Sequence, residues 1–164
     1  MIEDKIALVA TNAALKAGEL LRRGFGSDFK YSSKESANDY VTEYDYAAEG
    51  LIIEHIRATF KDHSILAEES GELNKGASPF TWVIDPIDGT TNFLRNIPLF
   101  CISIGITKNK IPIVGVIYQP MTHELFVAVK GQGSYLNGKK ITVSTQNDLN
   151  QCTLVTGFPY SLER

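Results

Sequence analysis

The sequence is sparing in cysteine and histidine, with two and three among 164 residues. Cys101 and Cys152 form no CxxC pair and sit in apolar runs, so they read as small buried hydrophobes rather than a disulfide. His55, His63 and His123 show no HxH or i,i+4 spacing, which argues against a zinc site. A surplus of either charge is also lacking: 16 Lys+Arg against 19 Asp+Glu leave a formal net charge of −3. Without a basic excess, no nucleic-acid partner is expected. The apolar runs fall far short of the ~20 residues of a membrane helix. No basic segment followed by an apolar one opens the chain, so no signal peptide is read. Neither a membrane nor an export route is expected, and the cytoplasm is the default compartment. A Walker-type glycine loop, a GxSxG elbow and internal repeats are all missing. What remains is ordinary globular composition, 43% hydrophobic and 10% aromatic, at a length that suits one domain over 1–164.

Two helices are expected first. Over residues 5–23 the apolar positions Ile6, Val9, Ala10, Ala13, Ala14, Ala17, Leu20 and Leu21 recur at the helical period. Arg22 and Arg23 before Gly24 suit the negative end of the dipole. A polar stretch, 32–38, follows. Thr42-x-x-Asp45 then resembles a capping box with Asp for the usual Glu. It opens a second helix whose inner face is expected to be Ala48, Leu51, Ile52, Ile56 and Phe60.

After Lys61 the pattern shortens into apolar segments at 64–67, 80–84, 100–107, 111–118 and 124–129. Asn137-Gly138 is a hairpin signal between 134–136 and 139–143. Consecutive strands with short connections predict an α+β fold: two helices packed on one face of a mostly antiparallel sheet. At the end, 152–156 reads as a buried strand, Gly157-Phe158-Pro159 as a turn and Ser161 as a helix N-cap.

The chemistry gathers between Ala67 and Asn92. Glu68-Glu69 follows one short strand and Asp85-Pro86-Ile87-Asp88-Gly89-Thr90-Thr91-Asn92 follows another. Carboxylates at the ends of neighbouring strands, with a backbone carbonyl, suit a hard cation such as Mg2+. Pro86 keeps Asp85 out of the helical region, and Gly89 admits a close ligand. The start of a short helix through Asn92, Phe93 and Leu94 would favour a phosphate. Taken singly, Asp85 and Asp88 are ordinary turn residues, Glu68-Glu69 an ordinary solvated pair, Asp45 a helix-capping acid and Lys34 a surface lysine. Metal-assisted phosphoryl chemistry is the reading that unites them.

Together these segments resemble the inositol monophosphatase family of magnesium-dependent phosphatases. Trp82-Val83-Ile84-Asp85-Pro86-Ile87-Asp88-Gly89-Thr90-Thr91-Asn92-Phe93 carries the family's Asp-Pro-Ile/Leu-Asp-Gly-Thr signature. Ala67-Glu68-Glu69-Ser70 matches the paired-glutamate motif, with Ala67 where many members have Gly. Asp39-Tyr40-Val41-Thr42-x-x-Asp45 matches the upstream acidic motif. The similarity covers residues 5–164, including Gly131-x-Gly133 and Asn137-Gly138.

The resemblance implies that Glu68, Asp85 and the Ile87 carbonyl bind one Mg2+, and that Asp85 and Asp88 share a second. It implies that Glu68 and Thr90 position and activate the attacking water, with Asp45 holding the Thr90 hydroxyl. Asp88, Gly89, Thr90, Glu69 and Lys34 would line the substrate's place. The substrate would be a small phosphate monoester, an inositol monophosphate or a related polyol or sugar phosphate, hydrolysed without a covalent enzyme intermediate. Thr91 stands where nucleotide-phosphatase relatives tend to carry Lys, so a nucleotide or fructose-1,6-bisphosphate specificity is the lesser alternative. A homodimer is implied, since relatives commonly pair through this half.

Longer family members carry a second α/β half with a Trp-Asp-x-Ala-Ala-Gly motif that this sequence does not contain. The expected architecture is therefore the N-terminal half of the layered αβαβα sugar-phosphatase fold. Weakened second-metal binding and an exposed apolar sheet face are expected with it. A non-catalytic remnant that binds metal or a partner is the alternative from a different class.

Overall fold

Helix α1 (Ile2–Gly24) carries Glu3 and Asp4 in its first turn and Arg22 and Arg23 in its last, complementing its dipole. The computed structural model describes residues 1–34, 39–73 and 78–156. Ile6, Val9, Ala10, Ala13, Ala14, Ala17 and Leu21 form the buried stripe, and Leu20 packs at its margin. The small residues bring α1 close to the sheet beneath: a Cβ on Gly18 would fall 2.4 Å from the Tyr118 ring.

An antiparallel ribbon, β1 (Tyr31–Ser33) and β2 (Tyr40–Thr42), precedes α2 (Glu43–Thr59). Its three-residue strands flank the polar stretch and are too short to show an alternating pattern. Thr42 and Asp45 form the expected capping box. The apolar face of α2 differs from the expectation at two positions. Leu51 is half-buried, and Ile53 joins Ala48, Ile52 and Ile56 in the core. The stripe turns toward Ile53 because α2 packs on both α1 and β5 (Phe80–Asp88).

The main sheet comprises β3 (Ser64–Ala67), β4 (Gly71–Leu73), β5, β6 (Cys101–Lys108), β7 (Ile111–Gln119), β8 (Glu124–Val129), β9 (Gly133–Leu136) and β10 (Lys139–Ile141). Its order is β10-β9-β8-β7-β6-β5-β3-β4. Every pairing is antiparallel except β3 with β5, which is parallel. Both long helices cover one face, α1 over β6, β7 and β8, and α2 over β5. The opposite face carries Leu66, Val83 and Ile117, each more than 40% exposed.

Three details correct the sequence reading. Strand β5 continues to Asp88 instead of ending at Ile84, because a bulge absorbs Pro86 within the pairing with β6. The cysteines are free thiols but only half-buried. Residues 152–156 form no strand: a short 3-10 helix, Leu149–Gln151, precedes them, and Leu154 and Val155 are 78% and 93% exposed. An apolar segment becomes a strand only by pairing along an edge, and the outermost strand on that side, β10, is three exposed residues. The turn at 157–159 and the cap at Ser161 lie outside the described residues.

Candidate active site

The parallel pairing decides where the acids go. Ala67 is in register with Ile84, so Glu68 and Asp85 are the next residues on two adjacent strands. The Glu68 N–H donates to the Ile84 carbonyl at 3.0 Å, holding that level. Beyond it, Asp85 pairs with Ser103 and Asp88 with Cys101, so β5 carries one extra residue there. The Ile87 N–H turns back to Asp85 Oδ1 at 3.1 Å, an Asx turn that proline at 86 permits because it needs no N–H partner.

Burial and the company of other acids raise the proton affinity of Asp85. Burial, followed by the charge of Glu68 and a hydrogen bond with it, and then by Asp88, pushes Asp85 up to about 8. Burial and the nearby Asp88 and Asp85 charges push the Cys101 thiol up to about 12, with Sγ 3.8 Å from Asp88 Oδ2.

Thr90 arrives from the other side. Gly89 adopts φ +103, a left-handed conformation that opens α3 (Thr90–Leu94). Phe93 is fully buried and anchors this single turn among Phe25, Phe29, Tyr44 and Phe100. Thr90 Oγ1 then lies 3.0 Å from Asp45 Oδ1 and 3.0 Å from the Ile87 carbonyl. Asp45 is fully buried, and its Oδ2 accepts from the Thr42 N–H at 2.7 Å and hydroxyl at 2.6 Å. Burial holds its carboxyl above the usual range, against the opposing pull of those hydrogen bonds.

Lys34 closes the acidic side. Its Nζ is 2.8 Å from Glu68 Oε1 and 2.6 Å from Glu69 Oε1. Burial alone would lower the ammonium, but the two glutamates outweigh it and hold it above its ordinary value. Burial raises the Glu69 carboxyl, with Lys34 acting in the opposite direction.

One buried acid in this region escaped the sequence reading. Glu49, on α2, accepts the Glu69 N–H at 2.8 Å and the Ser70 hydroxyl. Its signal was an acidic residue one turn after Asp45, inside the apolar stripe of α2.

The donor chemistry fits a hard cation. Glu68, Asp85, Asp88 and the Ile87 carbonyl offer only oxygen, and the mutual repulsion felt by Asp85 is of the kind a divalent cation relieves. Among the described residues, however, no three His, Cys, Asp or Glu side chains converge as a ready ligand cage. Glu68 is turned to Lys34 as well as to Asp85.

Helices on one face of a mixed sheet, with acids massed where two parallel strands end, are the architecture of the sugar-phosphatase class. The chain belongs to the inositol monophosphatase family, whose sequence profile matches residues 3–164. It is 43% identical over 157 residues to the protein named Nus factor SuhB of Escherichia coli K12, a match covering 95% of this chain and 59% of that protein. It is 47% identical over 152 residues to the inositol-1-monophosphatase of Synechocystis, covering 93% of this chain and 53% of that protein. A solved inositol monophosphatase from Thermotoga maritima superposes with a TM-score of 0.83 at 36% identity, covering 91% of this chain and 57% of the other. The chain thus spans little more than half the length of these relatives.

Proposed function

We propose that this chain carries the metal- and water-handling part of a Mg2+-dependent phosphatase acting on small phosphate monoesters, inositol monophosphate or a related polyol or sugar phosphate. The observation that carries this is that Thr90, fixed by buried Asp45, lies within hydrogen-bond reach of the Ile87 carbonyl between Asp85 and Asp88, on the strand whose register sets Asp85 beside Glu68. Family membership and the named inositol-1-monophosphatase relative support the substrate class.

Glu68, Asp85, Asp88 and the Ile87 carbonyl would hold Mg2+. Bound there, the ion supplies Lewis acidity, offsetting phosphate and leaving-group charge and easing loss of a proton from water. Thr90 has one hydroxyl proton and two acceptors at 3.0 Å. Donating to the Asp45 carboxylate leaves its lone pairs free to accept from the attacking water. Glu68 takes that water's proton as general base. Backbone N–H groups of Gly89 and Thr90 orient the phosphate, and Asp88 lies beside its leaving oxygen. Lys34 balances the charge of Glu68 and Glu69 together. The water oxygen bonds to phosphorus as the P–O ester bond breaks, and the proton that Glu68 took returns through solvent to the leaving alkoxide, giving phosphate, an alcohol and the original carboxylate.

The test is phosphate release from inositol 1-phosphate, with and without Mg2+, on a sample of confirmed mass. Release only with Mg2+ supports the reading; no release under either condition supports a non-catalytic chain. A panel with fructose 1,6-bisphosphate and a nucleotide phosphate tests specificity. A homodimer and a cytoplasmic location belong to the same proposal, as does the lack of a nucleic-acid partner. Because relatives carry the name Nus factor SuhB, a nucleic-acid binding assay is the measurement that would overturn the last of these.

A further inference from the structure

Glu49 sits at 1% exposure among Ala48, Ile52, Ile53 and Ile56. Among the described residues no cation forms a salt bridge with it. A carboxylate is costly to bury unless its oxygens are hydrogen-bonded, and both of these are committed to one short turn. Oε2 accepts the Glu69 N–H at 2.8 Å, and Oε1 accepts the Ser70 hydroxyl. That turn begins with Glu68, whose own N–H is held by the Ile84 carbonyl. One helical turn earlier on the same face, Asp45 holds Thr90. The first two turns of α2 therefore grip both segments that carry the reactive groups.

We infer that Glu49 is a positioning residue: by clamping the Glu69 N–H and Ser70 hydroxyl, it sets Glu68 at its working distance from Thr90. This inference rests on the phosphatase reading above. Glu49 touches neither water nor substrate. Its contribution is that α2, a rigid element, sets the separation between the turn that carries Glu68 and the turn that carries Thr90.

Side-chain length separates this role from mere charge. In Glu49→Gln the amide oxygen still accepts the Glu69 N–H, and the amide NH2 donates to Ser70 Oγ, so the clamp survives. Glu49→Asp keeps the charge but is one methylene short. The expected result is that Glu49→Gln keeps most of the turnover. Glu49→Asp should lose about 10²-fold in kcat, the scale set by a misplacement of about 1 Å, with KM little changed. The Glu69 amide, followed by NMR hydrogen exchange, should be protected in the wild type and Glu49→Gln and exposed in Glu49→Asp.

Equal loss in both variants, or a folded Glu49→Asp with unchanged kcat and protection, overturns the inference. So does rapid exchange of the Glu69 amide in the wild-type chain, a measurement that needs no variant to fold. If the wild-type chain releases no phosphate and binds no Mg2+ by calorimetry, the phosphatase reading fails. Amide exchange still decides whether the clamp exists.

Discussion

Thr90 and Asp45 meet across 45 residues of sequence, with the hydroxyl 3.0 Å from a fully buried carboxylate oxygen. Asp45 thereby serves two elements, completing the cap of α2 and orienting Thr90 at the start of α3. Replacing the hydroxyl by a methyl of the same shape should separate these duties. Thr90→Val is expected to lower kcat by about 10²-fold, the usual worth of a proton-positioning group. It should also lower stability by about 1–3 kcal/mol, since Asp45 Oδ1 loses its donor. Thr90→Ser should restore both. Turnover in Thr90→Val equal to wild type would remove Thr90 from the proposed mechanism.

The acids at the strand ends are expected to act through charge rather than packing. Asp88→Asn and Glu68→Gln should each reduce phosphate release by orders of magnitude, with circular dichroism unchanged. Asp88→Asn should also weaken Mg2+ binding measured by calorimetry. If both variants retain full turnover, the assignment of this acidic cluster fails.

A pH response is expected away from the site. The Trp82 indole N–H donates to His63 Nδ1 at 2.9 Å, so the ring proton of His63 is on Nε2. The imidazole stacks against Phe60 and Phe80, rings whose centroids also lie 5.5 Å from the ammonium groups of Lys5 and Lys108 respectively. Burial lowers its pKa, only partly offset by Asp62. A lowered folded-state value means that the unfolded chain binds the proton more readily. Stability is therefore full above about 6.5 and is lost as pH falls from there through the folded value. Trp82 is the sole tryptophan, so its fluorescence reports the break. His63→Phe should flatten both the fluorescence change and the stability slope, and a slope unaltered by that change would place the titration elsewhere.

Gly89 should tolerate no side chain. Its φ is +103, and an added Cβ would lie 3.2 Å from the Leu99 carbonyl oxygen and 3.3 Å from Phe100 Cα. Gly89→Ala is expected to cost at least about 1–2 kcal/mol for the left-handed backbone alone and to shift α3, lowering turnover with it. Urea denaturation measures the first effect, and an unmoved midpoint would contradict it.

Much of this architecture was legible in the sequence because the signals were local. The apolar period of α1, the Thr42–Asp45 cap, the limits of β3 and β8 and the Asn137-Gly138 turn each lie within a few residues of one another. The acidic cluster was legible through its motifs. The parallel pairing of β3 with β5 was not, since nothing in either strand says which edge it will meet. Glu49 was hidden for a related reason: in a helical stripe it reads as an interruption, and its purpose appears only once the 68–70 turn packs beside it. The stretch at 152–156 shows the opposite error, an apolar pattern without an edge to pair along.

The parallel register of β3 and β5 has a further consequence. Side chains alternate between the two faces of a sheet, so sliding β3 by one residue would send Glu68 to the far side from Asp85 and Thr90. The helix-covered face would receive the wrong half of β3 in the same movement. Alignment of the two strands and assembly of the acidic cluster are thus a single event. Each catalytic turnover would certify the strand alignment of the molecule that performed it, and specific activity would count the correctly aligned fraction of a preparation.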